Sequence, residues 1–140
     1  MLKPPVAIAA LALFSFPTSQ PAQAQVQAAP AQPATIPADA ASKTNPVKPT
    51  AESLAKAKKM YGYDCSMCHG DTGNGKGDLS TDTKMNLKDF TDPAVQSAMS
   101  DGEMFWVIQN GLGKMPGEGE RLKSDDLWSM VVYIRSFAKK

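Results

Sequence analysis

The segment Asp64-Cys65-Ser66-Met67-Cys68-His69-Gly70 holds both cysteines and the only histidine of this 140-residue chain. No other feature limits so tightly what the chain can fold into. Its whole thiol and imidazole inventory sits in five consecutive residues, CSMCH, so any site built on these groups is organised at one point. Three chemistries use two thiols spaced this way: zinc binding, dithiol exchange and covalent haem attachment. The remaining sequence has to choose among them.

Only part of the chain can form the folded unit. Met1-Leu2-Lys3 is a short positive start, Val6 to Phe16 is an apolar run, and Ala22-Gln23-Ala24 has a small-x-small pattern. Residues 1–24 therefore read as a secretory signal peptide, cleaved near Ala24. An uncleaved anchor is the weaker reading, because a spanning helix wants about 20 apolar residues. No later segment is apolar enough to span, which predicts a soluble mature protein, periplasmic or otherwise exported. Residues 25–49, rich in Ala, Pro and Gln, carry almost no large apolar side chain. Such a stretch buries too little surface to offset its ordering entropy, and predicts a flexible, partly extended linker that acts as a passive spacer.

Residues 50–140 remain for one domain. A domain this small has a thin core and often leans on a metal, disulfides or a cofactor. From Thr50 onward, twelve Lys and Arg stand against thirteen Asp and Glu. That balance offers no broad basic face for nucleic acid. Lys56, Lys58 and Lys59 read as a solvated helix face.

Thr50 predicts a helix cap, with a helix running to about Asp64 or into the cysteine motif. Leu54, Ala57, Tyr61 and Cys65 recur at helical steps and mark its buried face. Gly70 to Gly77 then breaks regular structure with four glycines. Asp92-Pro93 predicts a second start, with Asp92 as cap and Pro93 in the first turn. Ser100 to Glu103 is a capping box, opening a helix that stops at Gly111. Gly111 to Gly119 is a further loop. Ser124 is the expected cap of the last helix, with Asp125 and Asp126 in its first turn, and Leu127, Val131, Ile134 and Ala138 as its apolar stripe. Lys139 and Lys140 suit its negative end. No stretch alternates with period two, and no repeat is visible. The pattern is all-α: three to four short helices joined by glycine-rich loops. Loops this long in so small a domain imply an organiser other than helix packing.

Structural zinc takes four protein ligands, and only three adjacent Cys and His exist here. A dithiol oxidoreductase places Cys-x-x-Cys at a helix start after a strand, whereas this motif follows a helix. A plain disulfide leaves His69 and the loops without a role. Covalent haem attachment uses Cys-x-x-Cys-His as it stands. Each thiol adds to one of two vinyl groups on one porphyrin edge, and a helical turn puts both sulfurs on the same side. His69 then projects toward the iron. The predicted cofactor is one haem c, bound through Cys65 and Cys68, with His69 as a metal ligand.

The iron has a second axial position, and a thioether is the natural donor left. The domain offers Met60, Met67, Met85, Met99, Met104, Met115 and Met130. Most lie in helical patterns, where gap-filling in the core is the default role. Met67 is too close to His69 to reach the opposite face. Met115, in the loop Gly111-Leu-Gly-Lys-Met115-Pro116-Gly117, is the predicted ligand, and Met85 the alternative. If Met115 only packs, the iron is five-coordinate.

The stretches AKAKKMYGYDCSMCHG, NGLGKMPG and LKSDDLWSMVVYIRSF, taken in order, make the domain resemble class I c-type cytochromes, small soluble His/Met electron carriers. The resemblance spans essentially residues 50–140. It implies a cytochrome c-like fold of short helices and long loops around a covalently bound haem. It assigns Cys65 and Cys68 to the thioethers, His69 to the proximal ligand and Met115 to the distal one. It also implies a near-perpendicular crossing of the first and last helices at Ala57 and Tyr133. The family more often has glycine at the first of these, so Ala57 should push the helices slightly apart. Many relatives place a proline after the glycine loop, whose carbonyl accepts the proximal imidazole N–H. Here Asp78 follows Gly77, and the sequence does not identify a substitute carbonyl. Trp106 and Trp128 read as haem-wall or core residues.

On this reading the protein is an electron carrier with no catalytic residues. It transfers one electron at a time between redox partners that dock transiently outside the cytoplasm. Lys76 and Lys114 flank the two motifs, as docking residues or as ordinary surface lysines. Two other readings stay open: an electron-transfer subunit of a larger dehydrogenase or oxidase, and a five-coordinate haem sensor or peroxidase. The absence of a second histidine weighs against the last.

Overall fold

Thr50 opens the first helix, α1 (Ala51–Asp64), with a reciprocal cap. Its Oγ1 accepts the Ser53 N–H at 3.0 Å, and Ser53 Oγ accepts the Thr50 N–H at 3.0 Å. Five further helices follow: α2 (Ser66–His69), α3 (Asp78–Asp82), α4 (Pro93–Ser97), α5 (Asp101–Asn110) and α6 (Ser124–Arg135). This computed structural model describes residues 35–138. The signal segment 1–24, the start of the expected linker, and Lys139 and Lys140 lie outside the described residues.

The all-α expectation holds: among the described residues the only β-type pairing is a bridge between Leu112 and Met115. The helix number is higher than the sequence predicts, because α2 and α3 are single turns too short to show a period. Asp92 caps α4 by accepting the Ala94 N–H at 2.8 Å. Both halves of the Ser100–Glu103 capping box form. Ser124 does not cap α6. The carbonyl of Lys123 already accepts the N–H of Asp126 and of Leu127, so the cap position falls on Lys123 and Ser124 is the first helical residue. Ala138 lies beyond the end of α6.

The core forms where α1 and α5 both pack on α6. Ala57 of α1 is fully buried, at 0 % exposure. Lys56 Nζ pairs with Asp126 Oδ1 at 2.7 Å between α1 and α6. Tyr61, Tyr133 and Phe137 meet edge to face, with centroids 5.0 to 5.5 Å apart. Trp128 stacks on Phe105 at 4.1 Å. The buried Tyr61 hydroxyl donates to the Gly70 carbonyl at 2.8 Å. Left unpaired, that hydroxyl would cost about 1–3 kcal/mol, so the bond ties the core to the end of the cysteine motif. Burial pushes the Tyr61 pKa well above its usual value, aided by nearby Cys65.

Part of the stretch read as linker packs against the domain. A 3-10 turn at Ala38–Ser42 lies on α5 and buries Ala40 at 1 % exposure. Asn45 Nδ2 donates to the Trp128 carbonyl at 3.2 Å, and Val47 packs on the core. Three scattered small contacts give no periodic signal, which is why composition alone reads this segment as unstructured.

Candidate functional site

α1 ends at Asp64, and the chain re-forms one helical turn across the motif. Cys68 and His69 both direct their N–H groups to the Cys65 carbonyl, at 3.2 and 2.9 Å. That turn gathers Cys65, Cys68 and His69 in one place. The two thiols are not joined to each other. Burial, then the charges of Asp64 and Glu118, push the Cys65 thiol up to about 12. A dithiol oxidoreductase needs the opposite, a thiol pulled below its ordinary value.

His69 sits against an apolar wall. Burial holds its imidazole below the usual value, so the ring is neutral and has a lone pair to give. Its Nδ1 is buried with no hydrogen-bond partner. The carbonyl that the sequence left unidentified is therefore not supplied by any described residue. The ring instead stacks on Phe90, with centroids 5.2 Å apart and planes 25° apart.

The second glycine loop brings Met115 to the same place. Leu112 and Met115 exchange both backbone hydrogen bonds at 3.0 Å, pinning Met115 at each end of its peptide. The chain then runs back along the end of α5. Glu118 and Gly119 donate to the carbonyls of Ile108 and Gln109, at 2.8 and 2.9 Å. Only glycine fits the approach at Gly117, where a Cβ would lie 2.6 Å from the carbonyl carbon of Asn110. Arg121 fastens this loop to α1, with Nη2 at 2.9 Å from Asp64 Oδ1 and 2.5 Å from Glu118 Oε2.

Between the cysteine motif, residues 85–90 and the Met115 loop lies a cleft with two lobes, of about 340 and 240 Å³. Cys65, His69, Asn86, Leu87, Ile108, Leu112 and Met115 border both lobes. Cys68 borders the larger one, as does Met85. Tyr61, Phe90, Met104, Met130 and Ile134 form the apolar wall of the smaller. All four site residues expected from the sequence thus meet at one cavity. Trp106 and Trp128 line neither lobe, and Trp128 belongs to the core. Lys114 borders the larger lobe, whereas Lys76 is exposed in the first glycine loop. Phe90 and Arg121 carry no sequence signal for these roles, since each acts through a partner remote in the chain.

Haem c fits what this chain presents. Two thiols stand on one wall, a neutral imidazole and a thioether face the same space, and most of the remaining lining is apolar. Short helices around a cleft that the Met115 loop borders, with Cys-x-x-Cys-His on its wall, define a c-type cytochrome. The family described as cytochrome c oxidase, cbb3-type, subunit III matches residues 52–134, and the chain belongs to that family. It is 27 % identical over 84 residues to cytochrome c6 of Cladophora glomerata, covering 60 % of this chain and 88 % of that protein. Among solved structures it is similar to the KustC0563 c-type cytochrome, at 28 % identity and a TM-score of 0.54, over 59 % of this chain and 98 % of that one. It is also similar to a chain of the Kuenenia stuttgartiensis reducing HAO-like protein complex Kustc0457/Kustc0458. There the identity is 26 % and the TM-score 0.55, over 67 % of this chain and 47 % of that one. The cofactor is haem c, and the activity is electron transfer through it.

Proposed function

We propose that Cys65 and Cys68 would carry the two thioether bonds, that His69 and Met115 would be the two protein ligands of the haem iron, and that the protein shuttles single electrons between partners outside the cytoplasm. Export follows from the signal segment 1–24, cleaved near Ala24. The observation that carries the ligand assignment is that His69 and Met115 border both lobes of one cavity.

When bound, haem supplies reversible one-electron chemistry at iron, and a thioether ligand raises its potential. The chain's own residues set the conditions. Burial keeps His69 neutral and ready to coordinate. The Leu112–Met115 bridge and the Arg121 tie hold the Met115 loop in one place. A site that is already shaped needs little rearrangement when the charge at its centre changes. The apolar wall excludes water, which disfavours the more positive oxidation state. Met67, between the two cysteines, is 60 % exposed, so the segment that bears them lies at the surface. A partner can dock there in the small, short-lived contact usual for redox encounters. Among the described residues no helix is long and apolar enough to cross a membrane.

A second reading, an electron-transfer subunit of a larger oxidoreductase, is supported by the likeness to a chain of a multi-protein complex. Purification of the native protein separates the two. A free carrier runs as the isolated chain, whereas a subunit co-purifies with its enzyme.

Two spectra test the site. The pyridine haemochrome of the matured protein should have the form given by two thioether bonds. The ferric protein should be low-spin with a sulfur-to-iron charge-transfer band. A high-spin native spectrum would overturn His/Met ligation and favour a five-coordinate sensor or peroxidase.

A further inference from the structure

The buried, unpartnered Nδ1 of His69 poses a question of orientation. A metal-binding imidazole usually gives this N–H to a carbonyl or carboxylate, which fixes the ring and raises its basicity. No described residue does so here, and the ring's flat neighbour is Phe90, stacked at 5.2 Å and 25°.

Phe90 is held at both of its backbone polar groups. Its N–H donates to the Gly73 carbonyl at 2.7 Å. Its carbonyl accepts from Gln96 Nε2 at 2.8 Å. The same Nε2 donates to the Ile134 carbonyl at 2.8 Å, so one amide bridges Phe90 and α6. Gln96 is only 5 % exposed, and its Oε1 accepts from Arg135 Nη1 at 3.1 Å. Arg135 is fixed in turn, with Nε on Asp101 Oδ1 at 2.8 Å and Nη2 on the Met99 carbonyl at 2.6 Å. A buried amide whose nitrogen and oxygen are both engaged cannot turn over without stranding polar groups. The Phe90 ring is therefore presented to His69 from a rigid base.

We propose that Phe90, clamped by Gln96, is the positioning residue that sets the plane of the His69 imidazole in place of a hydrogen bond from Nδ1. This rests on His69 being an axial ligand. An imidazole oriented by stacking is held without being made more basic. It donates less to iron than a hydrogen-bonded one, which works in the same direction as the thioether.

The plane of an axial imidazole governs how unpaired spin spreads over the four pyrroles, so the order of the hyperfine-shifted haem-methyl resonances in the ferric protein reports it. The test compares wild-type holoprotein with Phe90→Leu, which keeps apolar bulk but removes the flat face, and with Phe90→Tyr, which keeps the face. The Leu variant should show a changed or doubled set of haem-methyl resonances while keeping the sulfur-to-iron band. The Tyr variant should return the wild-type order. An unchanged order in Phe90→Leu overturns the role of Phe90 and leaves the ligand assignment standing. A wild-type protein without an axial imidazole signature overturns both.

Discussion

Arg121 reaches Asp64 at 2.9 Å and so joins the end of α1, next to Cys65, to the loop that carries Met115. Its other carboxylate partner, Glu118, lies within that loop at 2.5 Å. The Arg121 side chain is 59 % exposed, so the tie is screened by salt and adds little to global stability. Its effect should appear in the loop instead. Arg121→Ala should raise the affinity of the ferric protein for added imidazole severalfold, with little change in melting temperature. High salt should move the wild type part of the way toward the variant. Spectrophotometric titration at two ionic strengths checks this, and equal affinities would rule out the tie as a loop restraint.

Met115 and Met85 both border the larger lobe, but only Met115 also borders the smaller. Met115→Ala should abolish the sulfur-to-iron band, admit exogenous ligands and lower the potential by on the order of 0.1 V or more, within the ~0.8 V range that axial ligands command. Met85→Ala should leave band and potential close to wild type. The reverse pattern in spectroelectrochemistry would move the distal ligand to Met85.

What was legible in the sequence follows from how local each feature is. The Cys-x-x-Cys-His turn, the Asp92 and Ser100 caps and the stop at Gly111 are decided within a few residues, and the structure reproduces them. The place of Met115 in a loop at the cavity was legible because proline and glycines exclude it from a helix. The Gln96–Arg135 network was not, because its partners stand 38 and 39 residues apart and nothing in either neighbourhood marks them. The Ser124 cap failed because Ser is a good cap only if the carbonyl one residue earlier has not already begun the helix. Asp78 in place of proline was visible, but the aromatic ring that stacks on His69, Phe90, stands twelve residues further on, and only packing reveals it.

Glu103 gives a pH-dependent contribution. The Ser100 N–H donates to its carboxylate at 2.7 Å and holds its pKa below the ordinary value of 4.5. The unfolded chain then binds a proton more readily than the native one, so stability rises with pH in that window. The contribution is complete above about 4.5 and is lost as the pH falls through the native value. Glu103→Gln keeps an acceptor but no charge. Its melting temperature should sit slightly below wild type at neutral pH, where the charge favours the start of α5, and the gap should close in acid. Thermal melts across that range check the convergence; a gap that stays constant with pH would exclude the carboxylate as its source.

Gly77 lies where the first glycine loop crosses the cysteine motif. Its φ of −69° is open to any residue, so the constraint is one of space alone. An added Cβ would meet the Met67 carbonyl oxygen and lie 2.5 Å from that of Ser66. Neither neighbour can yield easily, because both are backbone of the turn that carries Cys68 and His69. Gly77 is also held on both sides, donating to the Cys68 carbonyl at 3.1 Å and accepting from Ser80 Oγ at 2.8 Å. Gly77→Ala should therefore destabilise by about 1–3 kcal/mol, the usual cost of overpacking, and lower the yield of haem-loaded protein. Gly62 is the contrasting case, in α1 with nothing within 4 Å of its added Cβ. Gly62→Ala should stabilise by up to about 1 kcal/mol through helix propensity. Opposite shifts in melting temperature are expected from the same chemical change, and shifts of equal sign would show that close approach is not what requires glycine at position 77.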